Sequence, residues 1–207
     1  MQVPENAKKA AKKQVDEQRM FIPTIKHVYI GSIQSDSYPE VFRENAKVGE
    51  VWYNGEKKVA STGEPFSVVP ISYRGRVSYK DENGEKKVHL NPCFSKDIKP
   101  VKSYDDVEDC PVDINSKNLG ADVLVYVPAV DEFAVMIFKP SAMEDFSSLL
   151  SVAEAPSVTI GTNVTKFKAK EGGNVTYYRF APTAGTEKVE VPDSTLANAT
   201  YQMLNQE

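Results

Sequence analysis

Apolar positions in this chain recur mostly at every second residue, in short runs separated by Gly, Pro, Asn and Asp. That period belongs to strands with one buried face. Residues 23–30 are β-branched and aromatic and predict a first extended segment. Residues 35–40 are turn-rich. Residues 48–53 predict a short strand, and 57–60 its return. Between them stands Asn54-Gly55, the strongest short hairpin signal, because both central residues of a type I′ turn need positive φ. Residues 66–79 predict a long strand or a bent pair, with Pro70 limiting the pairing where it falls. Residues 81–84 read as a second turn and 86–90 as its return. Residues 122–127 and 133–138 are the most apolar runs and predict a buried hairpin. A single stretch changes period. After Pro140, Ser141-x-x-Glu144 has the capping-box pattern, and Met143, Phe146, Leu149 and Leu150 follow at helical spacing. This predicts one helix over 141–152, ended by Pro156. Residues 158–170 and 175–181 predict a last hairpin around Gly172-Gly173, and 194–204 a short C-terminal helix.

One helix inserted among β-hairpins predicts a mainly β fold, a small antiparallel barrel like that of the oligonucleotide-binding (OB) fold. The expected organisation is a basic arm over residues 1–20, a β-rich domain over 21–192 and a C-terminal tail or short helix over 193–207. Residues 91–118 interrupt the domain with Pro92, Pro100 and Pro111 and the acidic run Asp105, Asp106, Glu108, Asp109. A structureless loop of that length is usually functional, mobile or an insertion.

Charge changes the picture little in sum and much in placement. The 207 residues carry 25 basic and 29 acidic side chains, a net charge of −4. This excludes the basicity of a histone-like protein but not local attraction for polyanions. Lys8, Lys9, Lys12 and Lys13 gather on one face of a potential helix in the N-terminal arm. The arm reads as a solubilising tail or as an electrostatic contact to phosphates. The longest apolar region, 123–138, is broken by Pro128, Asp131 and Glu132, whereas a membrane helix needs roughly 20 apolar residues. Residues 1–19 hold no apolar signal core. A soluble cytoplasmic protein is expected, with Cys93 and Cys110 reduced rather than part of a disulfide scaffold.

Motifs of common enzyme chemistry are missing. There is no Gly-rich phosphate loop and no Gly-x-Ser-x-Gly elbow. His89 with Cys93 or Cys110 suggests a thiol–imidazole pair only weakly, and His27, His89, Cys93 and Cys110 lack the close Cys-x-x-Cys pairs of a zinc site. The acidic run lacks calcium-loop spacing. Asn-x-Ser/Thr sequons occur at Asn163, Asn174 and Asn198, and without a secretory signal they read as chance. The expectation is a protein that is not an enzyme and uses no cofactor or metal.

What the chain does carry is cations alternating along strands. Arg74, Arg76 and Lys80 share one face of their strand, and Tyr73, Val77 and Tyr79 take the other. Lys166, Lys168 and Lys170 share a face opposite Phe167, and Tyr177 shares a face with Arg179. Over residues 164–180, Lys166, Lys168, Lys170 and Arg179 stand against Glu171, a local charge of +3. Bases stack on exposed rings, worth about 1–3 kcal/mol each, while Lys and Arg neutralise phosphates. The same alternation also describes an ordinary half-exposed sheet.

Pro39-Glu40, the run 46–50 (Ala-Lys-Val-Gly-Glu) and the run 66–76 (Phe-Ser-Val-Val-Pro-Ile-Ser-Tyr-Arg-Gly-Arg) resemble small tailed-bacteriophage proteins. The second half, with Lys139-Pro140-Ser141-Ala142 and a Gly-Gly-x-x-x-Tyr-Tyr return, is similar to phage single-stranded-DNA-binding proteins of the OB fold. The resemblance implies single-stranded DNA as partner, in phage replication or recombination. Bases would stack on Tyr177 and on one or more of Tyr73, Tyr79 and Phe94, and phosphates would meet Arg74, Arg76, Lys80, Lys166, Lys168 and Arg179. Many such binders end in an acidic tail that recruits replication proteins. Here residues 201–207 hold one acidic residue, which leaves that role to the 105–113 loop or leaves it absent. The alternative is a virion structural or interaction protein whose alternating faces pack against other subunits.

Overall fold

The alternating runs become nine strands in a computed structural model of the chain, which describes residues 24–27, 40–90, 112, 117–168, 174–195 and 197. In chain order these are β1 (Thr24–His27), helix α1 (Glu40–Asn45), β2 (Val51–Tyr53), β3 (Lys57–Ala60), β4 (Phe66–Lys80) and β5 (Lys86–Leu90). Then follow β6 (Leu119–Val127), β7 (Glu132–Phe138), a 3₁₀ turn (Pro140–Ala142), α2 (Met143–Val152), β8 (Ser157–Lys168) and β9 (Asn174–Gly185). The strands join in the order β3-β2-β1-β7-β6-β4-β8-β9, with β5 added to β4. The fold is mainly β, as its periodicity predicts. It is not wholly antiparallel: β1 lies parallel to β7, with Thr24 beside Val135 and Ile25 beside Met136. Among the described residues the sheet does not close by strand pairing.

Turn chemistry follows the sequence. Asn54 and Gly55 both take positive φ, 51° and 73°, and the Glu56 amide donates to the Tyr53 carbonyl at 2.9 Å. At the second turn the Asp81 carboxylate accepts from the Asn83 and Glu85 amides, and Gly84 supplies a φ of 79°.

β4 organises the sheet. Its first residues, Phe66–Val68, pair with β8. Its middle pairs with β6 and its last five residues with β5. The β6 register slips between Pro70 and Ser72, so Ile71 is an extra residue. Such a bulge accommodates Pro70, which has no amide to give the ladder. It also reverses parity: Phe66 and Val68 face the core before it, and Tyr73 after it.

One core receives side chains from β1, β2, β3, β4, β6, β7, β8, β9 and α2. The sheet therefore bends around it. α2 supplies Phe146, Leu149 and Leu150, and the Phe146 ring meets Tyr73 and Phe138 at 5.4 and 5.7 Å. The helix lies where the spacing predicts, but the capping box does not form. A 3₁₀ turn enters the helix first, Ala142 is its N-cap, and no side chain caps it. α1 begins at the end of the turn-rich residues 35–40 and fills a stretch for which no element is expected. Phe42 and Ala46 pack on Trp52, which β2 turns away from the main core.

β6 is buried along all nine residues. Ala121, Val123, Val125 and Val127 face the main core, and Leu124 lies with Val135 beneath Ile71, Phe133 and Ala197 on the opposite face. No helix among the described residues is long and apolar enough to cross a membrane. The expected 1–20 arm, Phe94, Cys93, Cys110, the acidic run and most of the C-terminal helix lie outside the described residues.

Candidate nucleic-acid interface

β8 and β9 build an arm. β8 meets β4 only as far as Ile160 opposite Phe66, then runs on to Lys168 with β9 beside it. Among the described residues this outer stretch pairs only with itself. Residues directly opposite in an antiparallel ladder share a face. Val164 is opposite Tyr178 and Lys166 opposite Thr176, so both share the face of Tyr178 and Phe180. Asn163 is opposite Arg179 and Thr165 opposite Tyr177, and these form the other face. The lysine and tyrosine that the sequence suggests as one site thus lie on opposite faces. Lys168 pairs in register with Asn174. Val164 is 53 % exposed and Tyr177 49 %, the two most open large apolar side chains described. Lys166 is exposed one position further out along the arm than Thr165, the partner of Tyr177.

Tyr73 and Arg74 require correction. Tyr73 is buried in the main core against Phe146 and offers no face to a base. Arg74 is 2 % exposed, and its Nη2 lies 3.5 Å from Asp122 Oδ2. Arg76 reaches the same carboxylate, Nη1 to Oδ1 at 2.6 Å. The face assignment from alternation is right, but the neighbouring β6 puts Asp122 on that same face, opposite Arg74 in register, and both side chains are buried there. Asp122 was visible only as an isolated charge at the head of an apolar run. Arg76 is thereby largely neutralised.

Tyr79 is half-buried and Lys80 exposed, in the β4–β5 hairpin. There Lys87 is tied to Glu85 at 2.8 Å and Asp81 at 3.6 Å. This hairpin leaves the C-terminal end of β4, while the β8–β9 arm leaves its N-terminal end. About 45 Å of strand separates them at ~3.3 Å per residue, so they are not one patch. Arg179 is partly exposed but engaged: its Nε lies 3.2 Å from Asp145 Oδ2, and its Nη1 donates to the Ser141 carbonyl at 3.0 Å. Burial pushes the Asp145 carboxyl up, and the Arg179 guanidinium draws it partly back.

Two further buried groups escape the alternation argument. Glu50 is pushed up by burial, but the Lys47 amide and the Trp52 indole, each at 2.9 Å, and Lys58 together hold its carboxyl below the usual range. His27 is 3 % exposed on β1 and packs on Phe180 and Tyr178 of β9. Its place at an alternating position in an apolar strand was the available signal. No group of three His, Cys, Asp or Glu among the described residues is arranged to hold a metal ion. No family model, no curated protein and no solved structure matches the chain.

Proposed function

We propose that the protein binds single-stranded nucleic acid, without catalysing a reaction, through the β8–β9 arm. One observation carries the reading. The arm projects beyond the sheet with a half-exposed tyrosine and an exposed lysine, in a stretch whose charge is +3 inside a chain of −4. Tyr177 would take a stacked base, and Lys166 with its neighbouring lysines would take phosphates. Because ring and cation occupy opposite faces, a strand would pass around the arm rather than across one face. The bent sheet is then an open relative of the OB barrel. The phage resemblance points to single-stranded DNA in replication or recombination.

Fluorescence anisotropy of a labelled oligo-dT, titrated at two salt concentrations with duplex competitor, tests this. Affinity should fall with salt at about −0.7 per phosphate contacted. Tyr177→Ala should weaken binding about 5- to 150-fold, the worth of one stacked base. Lys166→Ala with Lys168→Ala should make the salt slope shallower. No binding at low salt, or variants that bind like the parent, would overturn the reading. A second reading, an interaction or virion structural protein, is favoured by the aliphatic side chains of Val88 and Ile137, 45 % and 37 % exposed on strands. Stable oligomers without nucleic-acid affinity would support it.

A further inference from the structure

β1 and β9 are separated in the sheet by β7, β6, β4 and β8, yet one imidazole joins them directly. The His27 ring stacks on Phe180 with centroids 4.7 Å apart and tilts against Tyr178 at 5.7 Å. Neither ring nitrogen has a hydrogen-bond partner of good geometry, although the backbone of Gly49 and Arg179 approaches the ring. Gly49 itself is squeezed in: its φ is +92°, and a Cβ there would stand 2.9 Å from Tyr178 Cε1 and 2.8 Å from Thr62 Cγ2. The seam between the arm and the β1–β2 end of the sheet is thus buried, tight and centred on a titratable ring.

The charged groups around that ring are committed elsewhere. On β9, Arg179 holds Asp145 and the Ser141 carbonyl. Ahead of β2, Glu50 holds the Trp52 indole and Lys58. On β1, Lys26 occupies the alternate face. Tyr178 is the other titratable side chain in contact. No carboxylate among the described residues faces the ring to compensate an imidazolium.

We propose that His27 is an acid-sensitive latch, holding the β8–β9 arm against β1 while neutral and releasing it when protonated. Burial lowers its pKa from 6.5 to about 4 in the closed form, the nearby backbone drawing it partly back up. A solvated imidazole in the open form titrates near the ordinary value. The latch is therefore fully closed above pH 6.5 and weakens as pH falls from 6.5 towards 4. With these values the open-to-closed ratio rises about 30-fold between about pH 7.5 and pH 5. The latch is a property of the fold and stands whatever the arm binds.

Hydrogen exchange at residues 176–180 of the full chain, corrected for intrinsic rates, reads arm opening without any ligand. The expected result is a rise in opening of about 30-fold between about pH 7.5 and pH 5. His27→Phe keeps a ring in the stack without an ionisable nitrogen and should abolish the rise. An NMR titration of His27 in the unaltered protein stands in should that variant fail to fold. An inflection near pH 4 that tracks arm opening supports the latch. An inflection near 6.5, constant protection, or the same pH response in His27→Phe overturns it.

Discussion

Asp122 decides what two arginines can do. Both guanidiniums that alternation offers to phosphates turn to its carboxylate, in a place where the Arg74 side chain is 1 % exposed and that of Asp122 5 %. Removing one partner from a buried ion group leaves charge unpaired in a poor solvent, which costs about 3–5 kcal/mol. Asp122→Asn should lower the unfolding free energy by about that amount, read as a lower urea midpoint. A change under 1 kcal/mol would show the pair to be solvated. Glu50 gives a pH signature at the same scale. Its folded pKa is depressed, so its contribution is present above the unfolded carboxylate range and is lost as pH falls through the folded value. Glu50→Gln should therefore be less stable than the parent at neutral pH, with the gap narrowing on acidification below about pH 4.5. Urea midpoints measured between neutral and acid pH check this, and a constant gap would contradict it.

At the scale of elements, strands were legible because two-residue alternation survives wherever a sheet has one buried face. β3, β5 and the Asn54-Gly55 turn lie where the pattern puts them. α1 was not legible: six residues carry under two turns of periodicity, and the contact of Phe42 with Trp52 is made across the fold rather than within the helix. The bulge at Ile71 was equally hidden, since one inserted residue leaves each half of β4 alternating normally. Its importance is large. Deleting Ile71 would remove the bulge and its parity change together: Pro70 stays opposite Val125, Ser72 opposite Leu124 and Tyr73 inward, while Pro70 enters a regular ladder and the Leu124–Val135 cluster loses Ile71. The deletion should lower the urea midpoint yet keep the near-ultraviolet circular dichroism of the aromatic core, and loss of that signal would show that the register does not survive. Deleting one residue from the exposed turn 81–84 should leave that signal intact. For the candidate site, the composition of each arm strand was readable, but not the β8–β9 register that parts Lys166 from Tyr177.

For the whole molecule, pairing between distant segments was what the sequence could not convey. Nothing local in residues 24–27 announces a parallel partner at residues 135–136, and nothing in 66–68 announces β8. Both follow from how eight strands and a helix share one core. The β1–β7 contact also has a consequence in time. β1 leaves the ribosome about 110 residues before its partner, an interval of roughly 5–20 s at ordinary translation speeds of about 5–20 residues per second. β1, β2 and β3 can pair meanwhile, but the inner edge of that small sheet stays open until β7 emerges. Similarly, Phe66–Val68 waits about 90 residues for β8. The nascent chain thus carries sticky, unfinished edges through most of its synthesis. Codon speed and chaperone supply, rather than final stability, would then govern how much of it matures.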